Sequence, residues 1–179
     1  MQRQFQEKIL VYRVQSRQDA SAFEALYDLY VEKIYRFVYF KISNKEEAQD
    51  ITSEVFLHVW QYLIREAEKS VANFRGLLYR ITRNQIVDHY RRRAKQQEQT
   101  LDGLTELSYE NTFINEIYNQ EEAAVWFEKI KKLKQEYQDV IFLRYIEDYS
   151  IGEMASILGK GRTAIRVTIH RALKALKGL

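Results

Sequence analysis

Cysteine is missing from all 179 residues, which excludes a disulfide framework and any cysteine-ligated zinc site. Proline is missing too, and glycine stands at only six positions, so the chain lacks the turn residues that a fold of many short strands needs. The expectation is an all-α protein. Apolar runs such as Phe37 to Phe40 fall far short of the ~20 residues that cross a bilayer, and the segment from Met1 to Glu7 holds no signal-peptide core. We therefore expect no membrane insertion and a cytoplasmic location. His58, His89 and His170 lie on separate predicted helices without a carboxylate at metal-ligand spacing, and there is no Gly-rich phosphate loop. No metal, cofactor or catalytic residue is expected, and the chain is not read as an enzyme.

Charge is scarce in a more telling way. The net charge is only +3, yet from Gly159 to the C-terminus Lys160, Arg162, Arg166, Arg171, Lys174 and Lys177 meet no acid. From Gln96 to Glu122 the reverse holds: Glu98, Asp102, Glu106, Glu110, Glu116, Glu121 and Glu122 meet no Lys or Arg. Such segregation reads as two helical domains, 1–95 and 123–179, joined by an acidic flexible linker over 96–122.

The stretch from Phe74 to Lys95 organises the first domain. At about 100° per residue, Phe74, Leu77, Leu78 and Ile81 form an ordinary core stripe. Past Arg83 the apolar residues Ile86, Val87 and Tyr90, in line with Tyr79, are expected on the opposite side. The original side then becomes Asn84, Gln85, Asp88 and Arg92, ending in the run Arg91, Arg92, Arg93 and Lys95. Asn, Gln and Arg read base edges, and clustered cations neutralise phosphates. A solvated helix end with a basic tail is the competing reading.

Ahead of it, residues 4–15 read as a short helix with Phe5, Ile9 and Tyr12 in line. A second helix begins near Asp19 or Ser21 and carries Phe23, Leu26, Tyr27, Tyr30, Ile34, Phe37, Val38 and Ile42, its tyrosines packing with hydroxyls at the wet rim. Asn44, with Glu47 three residues on, starts a third. Ala48, Ile51, Val55, Val59 and Tyr62 face its bundle, while Phe56, Leu57, Trp60 and Ile64, bordered by Asp50, Glu54 and Gln61, lie on the far side. A helix apolar on both sides is sandwiched in its own domain or docks on a partner. Residues 65–73 read as helix end plus loop.

In the second domain, residues 123–134 form a helix with Val125 or Trp126, Ile130 and Leu133 inward, and 135–146 another with Tyr137, Val140, Ile141 and Tyr145. Then Ser150 to Glu153 forms a capping box, Ile151, Met154, Ala155 and Leu158 one face, and Gly159 a stop. Ile165, Ile169, Ala172, Leu173 and Leu176 make a strict seam on the last helix. Two short helices joined by a glycine turn, the second free of acids, are a helix-turn-helix. Its outer face is Thr163, Val167, His170, Arg171 and Lys174, flanked by Arg166 and Thr168.

The chain resembles bacterial extracytoplasmic-function sigma factors over almost its whole length. AFEALYDLYVEKIYRFVY and AQDITSEVFLHVW are similar to the family's first segments, and FRGLLYRITRNQIVDHYRRR to the one that meets the minus-ten element. YQDVIFLRYIEDYSIGEMASILGKGRTAIRVTIHRALKAL is similar to the C-terminal module that reads the minus-thirty-five element. The resemblance implies a factor that binds core RNA polymerase and promoter DNA and helps open the duplex, a monomer when free, with an anti-sigma factor as a further candidate partner. It assigns core-polymerase binding to Asp50, Ser53, Glu54, Leu57, Trp60 and Gln61. It assigns a base-holding loop to residues 65–73 and minus-ten contacts to Asn73, Asn84, Gln85, Asp88, Arg91 and Arg92. Arg162, Thr163, Arg166, Val167, His170, Arg171 and Lys174 take the minus-thirty-five element. The chain departs from the family where Leu77 replaces a frequent Trp, Lys134 a usual Pro, and Val167 and Thr168 a customary Ser and Arg. The last pair removes a phosphate contact and offers methyl groups suited to thymine.

The resemblance places the two promoter elements about 25 base pairs apart, roughly 85 Å at ~3.4 Å per step. A free linker of about 25 residues averages only ~28 Å and reaches about 85 Å fully extended. Free protein is thus expected to bind promoters poorly until polymerase holds the modules apart. The rival class is a stand-alone helix-turn-helix regulator, which predicts a symmetric dimer on palindromic sites.

Overall fold

The computed structural model describes residues 2–67, 69, 71–99 and 121–179. Every regular element among them is a helix: α1 (Gln2–Arg17), α2 (Ala20–Ile42), α3 (Lys45–Arg65), α4 (Phe74–Gln99), α5 (Glu121–Lys131), α6 (Gln135–Ile141), α7 (Ile151–Leu158) and α8 (Arg162–Lys177). A π-helical stretch, Phe142–Ile146, prolongs α6. Contacts divide the chain into two compact units, Met1–Leu107 and Ser108–Leu179. Both ends of the expected linker are helical, since α4 runs to Gln99 and α5 starts at Glu121, and residues 100–120 lie outside the described residues.

Unit 1 is a bundle of α1 to α4. Asp19, rather than Ser21, caps α2 by accepting the Ala22 N–H at 3.0 Å; that amide and then Arg13 hold its carboxyl below the ordinary range. Ser43, at φ +60°, closes α2 in a left-handed turn, and Asn44 opens α3 by accepting from Glu47 at 2.9 Å. Leu26, Ile34 and Phe37 from α2, Val55, Val59 and Leu63 from α3, and Phe74, Leu78 and Tyr79 from α4 fill the core.

Three expectations need correction here. First, α1 buries Glu7, Val11 and Val14, and turns Phe5 and Tyr12 outward at 67% and 66% exposure, with Ile9 beside them. Glu7 can be buried because two donors await it. Second, the hydroxyl of Tyr30 does not reach water: it donates to Glu7, while Arg75 Nε lies 2.9 Å from that hydroxyl and 3.3 Å from Glu7 Oε2. Burial, then the Glu7 carboxylate, pushes the Tyr30 phenol well above its ordinary value. Third, the buried stripe of α4 does leave the Phe74, Leu77 and Leu78 face for the line of Tyr79 and Ile86, but Val87 and Tyr90 do not join it. Tyr79, Thr82 and Ile86 stay buried with His89 and Arg93 half-buried in line, while Val87 and Tyr90 are exposed. The spacing 79, 82, 86, 89, 93 keeps one face on its neighbours, as an alternating three-four step does.

Unit 2 packs α5 to α8 around Ile130, Leu133, Val140, Ile141, Phe142, Leu143, Met154, Ile157, Ile165, Ile169, Ala172 and Leu176. Buried Gln138 donates to the carbonyls of Lys131 and Leu133, both at 2.8 Å, and so fixes the α5–α6 turn. Val125 and Trp126 are exposed, against expectation, because α5 reaches the core only near its end, at Ile130. Tyr145 is exposed as well. The π turn, closed by Glu147 N–H on Phe142 O at 3.1 Å, inserts an extra residue per turn and rotates Tyr145 out of line. In α7, Met154 and Ile157 carry the burial, with Ile151, Ala155 and Leu158 at its margins.

Candidate nucleic-acid interfaces and docking face

The helix-turn-helix is built by local chemistry. Ser150 Oγ accepts from Glu153 N, and the Glu153 carboxylate accepts from Ser150 N at 3.0 Å, a reciprocal capping box that starts α7. Gly159, at φ +64°, ends it in a conformation that a side chain disfavours, and Gly161 leads into α8. The Ile165, Ile169, Ala172, Leu176 seam lies inward, with Leu173 at its edge. Arg162, Thr163, Arg166, Val167, His170, Arg171 and Lys174 are all exposed, Val167 at 42%. Thr168 is not on that surface: it is buried and its hydroxyl donates to Ala164 O at 2.9 Å. Its position, three residues after Ile165 and four before Ala172, puts it on the seam, so only Val167 offers the expected methyl surface. Lys160, at the turn, pairs with Glu136 of α6 and holds that carboxyl below its ordinary range.

On α4, Asn84, Asp88, Arg91 and Arg92 are exposed and Gln85 half-exposed, but the strip is laced to α3. Arg92 lies 3.6 Å from Glu54, and Arg93 3.7 Å from Glu47. Gln85 Nε2 lies 3.3 Å from His58 Nδ1, and Arg91 lies 3.2 Å from Asp88. Asn73 has a structural task besides the one expected of it, capping α4 by accepting the Gly76 N–H at 3.0 Å.

The expected docking residues share one side of α3. Asp50, Ser53, Leu57 and Gln61 are exposed, Leu57 at 54%, and Glu54 is half-exposed. The apolar part of this face is narrower than expected. Phe56 is buried against Phe23 and Tyr27 at ring separations of 6.4 and 4.7 Å, and half-buried Trp60 lies edge-on to Phe23 at 5.0 Å. The far side of α3 is therefore sandwiched within its own bundle at Phe56 and Trp60 and open to a partner at Leu57.

Sequence reasoning missed Glu7, Arg75 and Gln15, and read Glu47 only as a helix-start signal, not as the partner of His89 and Arg93. Glu7 did leave a signal, since it shares the 7, 11, 14 helical spacing with Val11 and Val14. Among the described residues no cluster of three or more His, Asp or Glu could hold a metal, and no helix is long and apolar enough to cross a membrane.

Comparison with known families places this geometry. Residues 26–96 match Sigma-70 region 2, and residues 127–176 match Sigma-70, region 4. The pair defines a sigma-70-type factor with its two principal regions. The ECF RNA polymerase sigma factor SigW of Bacillus subtilis is 31% identical over 170 residues, 89% of this chain and 89% of the relative. BldN of Streptomyces coelicolor is 29% identical over 175 residues, 95% of this chain but 64% of that longer relative. The structure of CnrH in complex with the cytosolic domain of CnrY shares the fold, with TM-score 0.68 at 22% identity over 97% of this chain and 96% of that one. The chain belongs to the extracytoplasmic-function RNA polymerase sigma factors.

Proposed function

We propose that this chain binds core RNA polymerase, directs it to promoters with two elements, and helps open the DNA, with residues 1–95 acting as region 2, 123–179 as region 4 and 96–122 as the strap between them. Asp50, Ser53, Glu54, Leu57, Trp60 and Gln61 would dock on polymerase. Asn73, Asn84, Gln85, Asp88, Arg91 and Arg92 would meet the minus-ten element, and Arg162, Thr163, Arg166, Val167, His170, Arg171 and Lys174 the minus-thirty-five element. The observation that carries the reading is the exposed, acid-free outer face of α8 behind a doubly capped α7 and a glycine turn, which suits a helix laid in a major groove.

The role has no chemical step of its own. Opening draws on binding energy, as unstacked bases are held by protein surfaces at a cost of about a few kcal/mol per step. The place of action is the cytoplasm, where polymerase works. An anti-sigma factor belongs among the partners by family likeness; the CnrH fold was itself solved with a second protein bound.

In vitro transcription with core polymerase on a random promoter library tests the proposal. We expect enrichment of templates with two elements at one fixed spacing, and only with both components present. Tight footprints on both elements by the chain alone, or a symmetric dimer on palindromic sites, would overturn it.

A further inference from the structure

Helix α1 precedes the matched region 2 segment, which starts at residue 26, yet it holds the loop between α3 and α4 at both ends. At the near end, Gln15 Nε2 donates to the carbonyls of Glu66 at 3.0 Å and Lys69 at 2.9 Å, 51 and 54 residues away. The Glu66 carbonyl also accepts the Lys69 N–H at 3.0 Å, and the two side chains pair at 2.5 Å. One amide group therefore straddles the turn that leaves α3. At the far end Arg75, the second residue of α4, is held by Tyr30 and by Glu7 of α1. Exposed loops with few packed side chains open at low cost, whereas recognition of a single base requires its contacts held within about 0.5 Å.

We propose that Gln15 is a positioning residue for base capture: it fixes the loop backbone at Glu66 and Lys69, so a residue outside the matched region governs base preference at one minus-ten position. The inference rests on the proposed minus-ten role of residues 1–95 and on the base-holding role that the family resemblance implies for that loop. Gln15→Glu keeps the shape of the side chain and removes both N–H donors, while Gln15→Lys restores donors. Lys69→Ala and Asn73→Ser alter the loop itself, serine keeping the helix cap.

Each variant is assembled with core polymerase, and transcription is read from promoters carrying every base at each minus-ten and minus-thirty-five position, with thermal unfolding followed in parallel. Gln15→Glu should flatten preference about tenfold, comparable to the loss of one or two neutral hydrogen bonds, at the one position that the loop variants flatten, and Gln15→Lys should restore it. If the loop variants flatten a position while Gln15→Glu flattens none or only lowers output uniformly at every position, the positioning role is overturned and base capture stands. If the loop variants flatten none, base capture fails and the positioning role with it.

Discussion

The cations of the two units keep different company. In unit 1 acids answer these cations of α4 inside and out: Arg75 meets Glu7 in the core, and Arg91, Arg92 and Arg93 meet Asp88, Glu54 and Glu47 at the surface. In unit 2, among the described residues, Lys160 pairs with Glu136 at the turn, while Arg162, Arg166 and Lys174 have no ion-pair partner and Arg171 feels Glu136 only as a nearby charge. On the proposed reading α8 would be a ready phosphate surface, whereas α4 would have to exchange protein partners for nucleic acid. A module exposed to free DNA in the cell gains from the second arrangement, because masked cations bind nonspecific DNA less.

The largest effect should come from removing the acid inside unit 1. Glu7→Ala removes the buried carboxylate that Tyr30 and Arg75 both contact; breaking a buried pair by removing one member costs about 3–5 kcal/mol and should appear as a strongly lowered melting temperature of unit 1. The same cluster should make stability fall at alkaline pH. The Tyr30 phenol titrates above its ordinary 10.0, so its contribution is complete below pH 10 and is lost as pH rises through the folded-state value. Tyr30→Phe should remove that alkaline loss while lowering stability at neutral pH by about 1–3 kcal/mol. Unfolding curves from pH 7 to 11 check both; an unchanged alkaline limb in Tyr30→Phe would place its origin elsewhere.

Replacing the unanswered cations should cost less. Arg171→Ala with Lys174→Ala is expected to weaken binding to the minus-thirty-five element about tenfold or more, and to flatten the salt dependence by about 0.9 in slope for each phosphate that is no longer neutralised. Holoenzyme titrations at several salt concentrations measure it. An unchanged slope would mean that this face of α8 does not meet phosphates.

How far the fold could be read beforehand follows from the same contrast. The helix-turn-helix was legible because its signals are local: Ser150 and Glu153 are three residues apart, Gly159 ends one helix, and Ile165 to Leu176 keep one period. The all-helical character followed as directly from the missing proline and scarce glycine. Nothing within a short window announced that Glu7 would find Tyr30 and Arg75, 23 and 68 residues away, or that Gln15 would reach the loop. Those partners meet only after α1 has packed, so the more regular Phe5, Ile9, Tyr12 stripe looked like the core face and is the solvent face. Trp126 misled for a related reason, since α5 reaches the core of its unit only near its end, at Ile130.

The smallest and most discriminating effect concerns Glu54, which belongs both to the proposed docking face and to the pair that masks Arg92. Glu54→Gln removes one acid from the polymerase side, a rim charge whose loss acts mainly on the association rate. It also frees Arg92, 3.6 Å away, and an exposed pair of this kind holds its members with about 1 kcal/mol or less. The two consequences have opposite signs. Glu54→Gln should weaken core binding about two- to fivefold yet raise binding of assembled holoenzyme to the minus-ten strand by a similar factor, whereas Asp50→Asn, with no cation partner among the described residues, should only weaken core binding. Separate titrations of core and of single-stranded minus-ten DNA resolve the signs. Identical behaviour of the two variants would mean that the Glu54–Arg92 pair does not restrain α4, and the contrast between masked and unmasked cations would then rest on Glu47 and Asp88 alone.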